Sequence, residues 1–215
     1  MTWTLAIDTS YFVATGLARD GVPIDSEVVT DTRAHGESLM PCVVELCRRH
    51  GLAVADIDEF AVGMGPGPFT GLRVGIAAAA TLAHLAGQDL HRVCSLDALA
   101  LQWRSMGAPA EFVVASDARR KELYWAHHLD GVRVGEPQVG APETLPSVPV
   151  AGPVPQSMQE RVRFTPSGPS SIDAALLAAR WHELPVAPSE PYYLRPADAT
   201  VGGPPKSALP KLRLR

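Results

Sequence analysis

Between Phe60 and Gly75 the chain reads F-A-V-G-M-G-P-G-P-F-T-G-L-R-V-G. The apolar triplet Phe60-Ala61-Val62 has the character of a strand end. Five glycines follow (Gly63, Gly65, Gly67, Gly71 and Gly75), with Pro66 and Pro68 between them. Glycine admits positive φ and close backbone approach, whereas proline fixes φ and stiffens the connection. The run from Gly71 to Gly87 reads as a helix, with Thr70 as its expected N-cap. Strand, glycine loop and helix start, in that order, present backbone N–H groups to an anion or to a neighbouring segment. Neither common phosphate-loop pattern fits. No Lys-Ser or Lys-Thr follows the glycines, and the G-x-G-x-x-G spacing with its later acidic residue is absent. A tight connection with close strand–helix packing is the competing reading.

The remainder of the chain reads as a duplication. Leu5-Ala6-Ile7-Asp8-Thr9-Ser10 precedes a second strand, Val13 to Ala18, and the turn Asp20-Gly21. Val113-Val114-Ala115-Ser116-Asp117-Ala118 likewise precedes Leu123 to Leu129 and the turn Asp130-Gly131. Each half opens with an apolar strand ending near an aspartate, followed by a strand closed by Asp-Gly, a strong turn signal. The expected fold is α/β, a duplicated two-lobe architecture similar to the actin-like ATPases, with a reduced second lobe. Strands are expected near 4–8, 12–18, 24–31, 59–63 and 92–94, and helices near 36–50, 71–86 and 95–106, the last capped by Ser95. From Gly135 to Pro169 eight prolines predict loop with short extended pieces. One further helix is expected from Ser171 to His182, with Ile172, Ala175, Leu176 and Ala179 on one face. The domain reading is 1–108 for the first lobe, 109–198 for the second and 199–215 for a flexible basic tail.

Composition narrows the class. With 46% hydrophobic and 20% charged residues over 215 positions, the chain can bury a real core. A net charge of −4 gives no overall nucleic-acid footprint, and Lys206, Lys211, Arg213 and Arg215 are expected to be solvated. No stretch approaches the roughly 18 apolar residues of a membrane span, and the N-terminus leads straight into a strand rather than a signal peptide. Cys42, Cys47 and Cys94 lack C-x-x-C spacing and read as free thiols of a reducing cytoplasm.

The chemistry expected of an actin-like cleft can be tested residue by residue. Asp8-Thr9-Ser10 could order metal-bound water and donate to phosphate oxygens. Tyr11 and Phe12 are bulky where a nucleotide needs close backbone approach. In the second lobe Ala151-Gly152-Pro153 is the sole candidate for a nucleotide-side turn, and Pro153 and Pro155 remove donors there. The expected nucleotide site is therefore degenerate. His35 and Glu37 lack the spacing of a helical metal site, and His127 and His128 point to opposite faces of a strand. His182 near a helix end reads as a favourable C-terminal charge. No metal site, cofactor or assembled catalytic group is expected. Asp8 is expected to need a partner, with an arginine of the Arg119-Arg120 pair as the candidate and a solvated turn as the alternative.

An ordered set of segments resembles the bacterial YeaZ-type (TsaB) family. Gly65 to Gly75 resembles its G-P-G-x-F-T-G-L-R-x-G signature, with Gly65, Gly67, Thr70, Gly71, Arg73 and Gly75 in register. Ala6 to Ser10 resembles A-I-D-T-S, and His35 to Pro41 resembles H-S-E-x-L-x-P with Gly36 in place of serine. Ser95 to Ala100 is similar to S-L-x-A-L-A, Asp117 to Tyr124 to D-A-R-R-x-E-V-Y, and Pro191 to Arg195 to P-x-Y-L-R. The resemblance implies a non-catalytic, cytoplasmic scaffold subunit in threonylcarbamoyladenosine formation at position 37 of ANN-decoding tRNAs. The implied partners are a metal-bearing catalytic paralogue of the same fold and a small P-loop ATPase, with homodimerisation as a further option and tRNA reached only through the complex. A stand-alone actin-like ATPase or phosphotransferase is the alternative, and a glycoprotease ranks far below it.

The two helices nearest the glycine loop carry an apolar surplus. Leu39, Val43, Leu46 and His50 form one stripe of the first, and Met40, Val44 and Cys47 a second. The other helix is rich in small residues. An apolar surplus on two sides of a helix places a core on one and a partner or another core layer on the other. The expected partner face is Leu39, Met40, Val43, Val44, Cys47, Val74, Ala77, Ala78 and Thr81.

Overall fold

The computed structural model describes residues 1–31 and 35–195. The first lobe begins with β1 (Trp3–Asp8), β2 (Val13–Arg19) and β3 (Val22–Val29), then α1 (His35–Arg49), β4 (Glu59–Gly63), α2 (Phe69–Ala86) and β5 (Leu90–Val93). After α3 (Ser95–Ser105) come β6 (Glu111–Asp117), β7 (Leu123–Leu129), β8 (Val132–Gly140), the two-residue β9 (Val150–Ala151), α4 (Gln156–Gln159) and α5 (Ala174–Arg180). Strand order is β3-β2-β1-β4-β5 in one sheet and β8-β7-β6-β9 in the other. In each, an antiparallel three-strand meander is extended by a parallel strand beside its first member. This is the duplicated actin-like architecture, and the short β9 is where the second copy is reduced. Both Asp-Gly turns are hairpin turns with positive φ at each central residue, 50° and 75° for Asp20-Gly21 and 49° and 76° for Asp130-Gly131.

Alternation along β1 builds two cores. Leu5 and Ile7 face α1 and α2, joining Leu39, Val43, Leu46, Phe60, Val62 and Leu82. Ala6 faces the other way, with Ala14, Ala18 and Ala61. Those small side chains let α5 lie close. A Cβ on Gly16 would fall 2.1 Å from the Ala174 carbonyl carbon, so only glycine fits under that helix. Leu177 and Ala178 of α5 share this core with Leu96, Leu99 and Trp103 of α3 and with Phe112, Val114 and Ala126 of the second sheet. The two helices thus form a layer between the sheets. The outer face of the second sheet packs Val113, Leu123 and Trp125 against Leu145, Val154, Met158 and Val162, with loop and the single-turn α4 in place of long helices.

The layer crosses the lobes in chain order. α3 lies within 1–108 yet packs on the second sheet, while α5 lies within 109–198 and packs on β1, β2 and β3. Helix starts also differ from expectation. α2 begins at Phe69 after Pro68, so Thr70 lies inside its first turn, and α3 begins at Ser95 itself after Cys94. α5 begins not at Ser171 but at Ala174 and is capped by Asp173, whose carboxylate accepts from Ala175 N at 3.0 Å and Leu176 N at 3.2 Å. It ends at Arg180 and passes directly into a 3₁₀ turn, Trp181–Glu183, that holds His182, and Leu176 is only half-buried. The expected tail at 199–215 lies outside the described residues. α2 is, contrary to expectation, long and apolar enough to cross a membrane by length and composition, with mean hydropathy 1.3. It nevertheless inserts Leu72, Gly75, Ala79, Leu82 and Ala83 into the first lobe and carries Arg73 on its exposed side.

Candidate interlobe site and partner face

The glycine loop closes over the end of β1. A Cβ on Gly63 would meet Asp8 Oδ2 at 1.7 Å, one on Gly67 would meet the Ser10 carbonyl oxygen at 2.4 Å, and one on Gly75 would meet Thr9 Oγ1 at 2.1 Å. Close approach, rather than an anion, is thus what these three glycines serve. The polar groups of residues 8–10 are consumed in the contact. Thr9 Oγ1 donates to the Gly71 carbonyl at 2.8 Å. Asp8 Oδ1 accepts from Ser10 N at 2.8 Å and Ser10 Oγ at 2.6 Å. Ser95, 1% exposed, links the pieces: its hydroxyl donates to Asp8 Oδ2 at 2.5 Å and accepts from Gly65 N at 3.0 Å. Ser95 was missed as a site residue because its partner is 87 positions away in sequence.

The second lobe repeats the motif. Asp117 ends β6 as Asp8 ends β1, and its Oδ1 accepts from Arg119 N at 2.8 Å, the same two-residue reach as Asp8 to Ser10. Arg119 Nη1 lies 3.3 Å from Asp117 Oδ2, so this arginine serves its own lobe's aspartate rather than approaching Asp8 as expected. Tyr11, which follows β1 of the first lobe, responds to charges of the second. Burial raises its phenol above the ordinary value, the Asp117 charge adds to the rise and Arg119 opposes it. Gly152 turns with φ of 106°, and a Cβ there would fall 2.0 Å from the Ala115 carbonyl oxygen, so this glycine too serves packing. The cleft between Asp8, Ser10, Tyr11, Phe12, Ser116 and Pro153 retains a cavity of about 20 Å³. That volume suits one water, against roughly 300 Å³ or more for a small-ligand pocket. Among the described residues no group of three or more His, Cys, Asp or Glu could hold a metal ion.

A buried polar cluster that sequence reading missed ties α3 to the second sheet. Asp97 accepts from Arg133 Nε at 3.0 and 3.1 Å and lies 3.1 Å from His128 Nε2. His128 stacks on Phe112, and Arg133 sits over the Tyr192 ring. Alternation along β7 separates His128 from His127, which reaches Glu111 on the other side. Cys94, fully buried nearby, has its thiol pushed far above the ordinary value by burial, with Asp97 adding to it. It is not a nucleophile.

The expected partner face divides. Leu39, Val43 and Cys47 are core residues packed beneath α1 and present nothing to a partner, which corrects the sequence reading. Met40 and Val44 are 38% and 54% exposed on the outer side of α1. On α2, Ala77 and Thr81 are exposed while Val74 and Ala78 are half-buried. Thr81 Oγ1 donates to the Ala77 carbonyl at 2.8 Å, so its hydroxyl is satisfied within the helix and its methyl is left to face outward. Arg73 lies 4.0 Å over the Phe69 ring, and Tyr193 packs on the same ring. The surface is therefore small, apolar and uncharged at its centre, with an aromatic–cation cluster at the N-terminal end of α2.

Comparison with known proteins agrees with this architecture. The family described as TsaD, tRNA N6-adenosine threonylcarbamoyltransferase, matches residues 28–166. An uncharacterized protein of Mycobacterium tuberculosis is 42% identical over 203 residues, covering 91% of this chain and 92% of that protein. The tRNA threonylcarbamoyladenosine biosynthesis protein TsaB of Escherichia coli is 36% identical over 126 residues, covering 58% of this chain and 54% of TsaB. Among solved structures, YeaZ from Pseudomonas aeruginosa superposes with a TM-score of 0.68 at 27% identity, over 85% of this chain and 93% of that one. A second Pseudomonas aeruginosa structure, described as similar to peptidase YEAZ, gives 0.74 at 27% identity, over 91% of this chain and all of that one. The chain belongs to the TsaD family and, within it, is a TsaB/YeaZ-type protein.

Proposed function

We propose that this protein is a non-catalytic subunit in the formation of threonylcarbamoyladenosine on tRNA, a scaffold that binds and stabilises a metal-bearing catalytic paralogue of the same fold. The named relatives support the pathway. The observation that carries the scaffold role is the pairing of a closed cleft with an open apolar helix face. The hydroxyl of Thr9 is bonded to the Gly71 carbonyl of α2 and that of Ser10 to Asp8, and the cavity beside them, about 20 Å³, is too small for a nucleotide. Met40, Val44, Ala77 and Thr81, with half-buried Val74 and Ala78, offer a contact in which small side chains allow close helix approach. The glycine loop, including Thr70, Gly71 and Arg73, fixes the angle of α2 and so the shape of that face.

The remaining parts of the reading rest on family resemblance. They are a small P-loop ATPase as third component, position 37 of ANN-decoding tRNAs as the modified site, a cytoplasmic location, and homodimerisation through the same helices in the paralogue's absence. The deciding experiment is co-purification with the paralogue. Val44→Glu and Ala77→Arg place charge on exposed positions, so both variants should melt as the wild type does. Each should weaken paralogue binding at least thirtyfold, about 2 kcal/mol. Full binding by both folded variants would place the interface elsewhere.

A further inference from the structure

Immediately after Asp117 the backbone turns through Arg119, Arg120 and Lys121 with φ of 61°, 52° and 63°. Three consecutive residues in the left-handed region is a conformation that suits glycine, and to a lesser extent asparagine and aspartate. Here the positions hold the three longest cationic side chains in a row. The turn is pinned by Arg119 N to Asp117 Oδ1 at 2.8 Å, Glu122 N to the Arg119 carbonyl at 3.0 Å and Ala118 N to the Glu122 carbonyl at 3.0 Å. All three side chains are exposed. With Ser157 and Arg161 they line an open depression of about 570 Å³ floored by Pro155 and Met158. Among the described residues its lining holds four cations, of which Arg119 pairs with Asp117 and Arg161 with Glu143, on a protein whose net charge is −4.

Strained backbone that persists under a concentration of one charge is characteristic of ligand clamps. We propose that this turn is a phosphate-binding site on the second lobe, occupied by phosphodiester groups of the tRNA backbone. The proposal rests on the tRNA reading above and departs from it in one respect: the resemblance implies tRNA reached only through the complex, whereas this site gives the chain a direct RNA contact. Guanidinium groups match phosphate oxygens with paired donors, and the left-handed turn fans its three side chains from one short segment. Among the described residues no aromatic side chain lines the depression, so a base has nothing to stack on. The site positions RNA by its backbone and does not read its sequence. Arg161 is held by Glu143 through two bonds at 2.7 and 3.0 Å and forms the fixed wall opposite the turn.

The test uses the full chain and a fluorescently labelled tRNA transcript, titrated by anisotropy. Three phosphate contacts to unpaired backbone predict a log–log salt slope of about −2, roughly a twentyfold loss of affinity between 50 and 200 mM salt. The triple variant Arg119→Gly, Arg120→Gly, Lys121→Gly should lose that slope. It should melt no lower than the wild type, because glycine accepts the left-handed turn without strain. Unchanged tRNA affinity in the folded variant, or no salt-dependent binding by the wild type, would overturn the proposal. Turn-dependent micromolar binding of ADP that displaces the tRNA would assign the site to a free nucleotide instead and overturn the RNA contact. Co-purification separates this result from the scaffold reading: the triple variant should retain the paralogue, and failure of the wild type to bind the paralogue would count against the scaffold alone.

Discussion

Replacing Ser95 by alanine removes a single oxygen that serves two buried groups at once. Its hydroxyl donates to Asp8 at 2.5 Å and accepts from Gly65 N at 3.0 Å, and Asp8 is only 2% exposed. A hydrogen bond to a charged group contributes about 1.5–3 kcal/mol, and a buried N–H left without an acceptor costs about 1–3 kcal/mol. The two losses share one site and add incompletely, so Ser95→Ala should destabilise by about 3–5 kcal/mol. For a chain of this size each kcal/mol lowers Tm by roughly 2–4 °C, giving a fall of roughly 6–20 °C. Thermal melts followed by circular dichroism measure this, and urea titration should show a lower midpoint at unchanged slope. Adding Asp8→Asn to form a double-mutant cycle should return a coupling of about 1.5–3 kcal/mol. A Tm for Ser95→Ala within about 2 °C of wild type would refute the assignment of Ser95 as the clasp between the glycine loop and β1.

Three further outcomes follow from other parts of the molecule. Arg133→Met leaves the buried Asp97 carboxylate without its guanidinium, and urea denaturation should show a loss of about 3–5 kcal/mol. For Asp25, burial raises the carboxyl, but bonds from His50 and Arg49 and the Arg49 charge outweigh it and hold it below the ordinary value. A depressed folded value stabilises above the ordinary carboxylate pKa of about 3.9 and loses its effect as pH falls through the folded value. Urea midpoints of the wild type and Asp25→Asn should therefore differ at neutral pH and converge as pH falls through the depressed folded value. Calorimetry with Mg-ATP should give no heat beyond dilution, and micromolar binding that disappears in Asp8→Asn would restore the ATPase reading.

Local signals in the sequence carried the strands and hairpins well. Two apolar strands ending in aspartate, each followed by a strand and Asp-Gly, sufficed to place the hairpin that opens each meander, because hairpin turns are encoded by the residues that form them; β8 runs into the proline-rich stretch read as loop with short extended pieces. Helix starts fared worse where a hydroxyl had a distant use. Thr70 and Ser95 have the chemistry of caps, but Ser95 spends its hydroxyl on Asp8. Periodicity gave α1 two apolar stripes and could not say which was inside. Leu39, Val43 and Cys47 turned inward while Met40 and Val44 faced out, a choice made by the sheet and not by the helix. The Asp97–His128–Arg133 cluster was illegible for the same reason, since its members come from three elements that only tertiary packing brings together. The address of α5 was also hidden: Ala-rich helices pack on many surfaces, and its landing site is specified by Gly16 and the alanines of β1 and β2.

That landing site has a consequence for biosynthesis. One face of the first sheet is covered by residues Ala174–Arg180, although the sheet's first strand ends at Asp8. At about 5–20 residues per second, a ribosome needs roughly 10–30 s to travel between them. Once β4 has followed at Glu59–Gly63, the alanine-lined face of β1, β2 and β4 is complete while its cover has not yet been made. The nascent chain therefore passes through a stage in which its N-terminal half is half-clothed, and a stop codon introduced anywhere before α5 would strand it there. Ribosome-bound chains stalled before α5 should therefore be more protease-sensitive across β1, β2 and β4 than the released full chain.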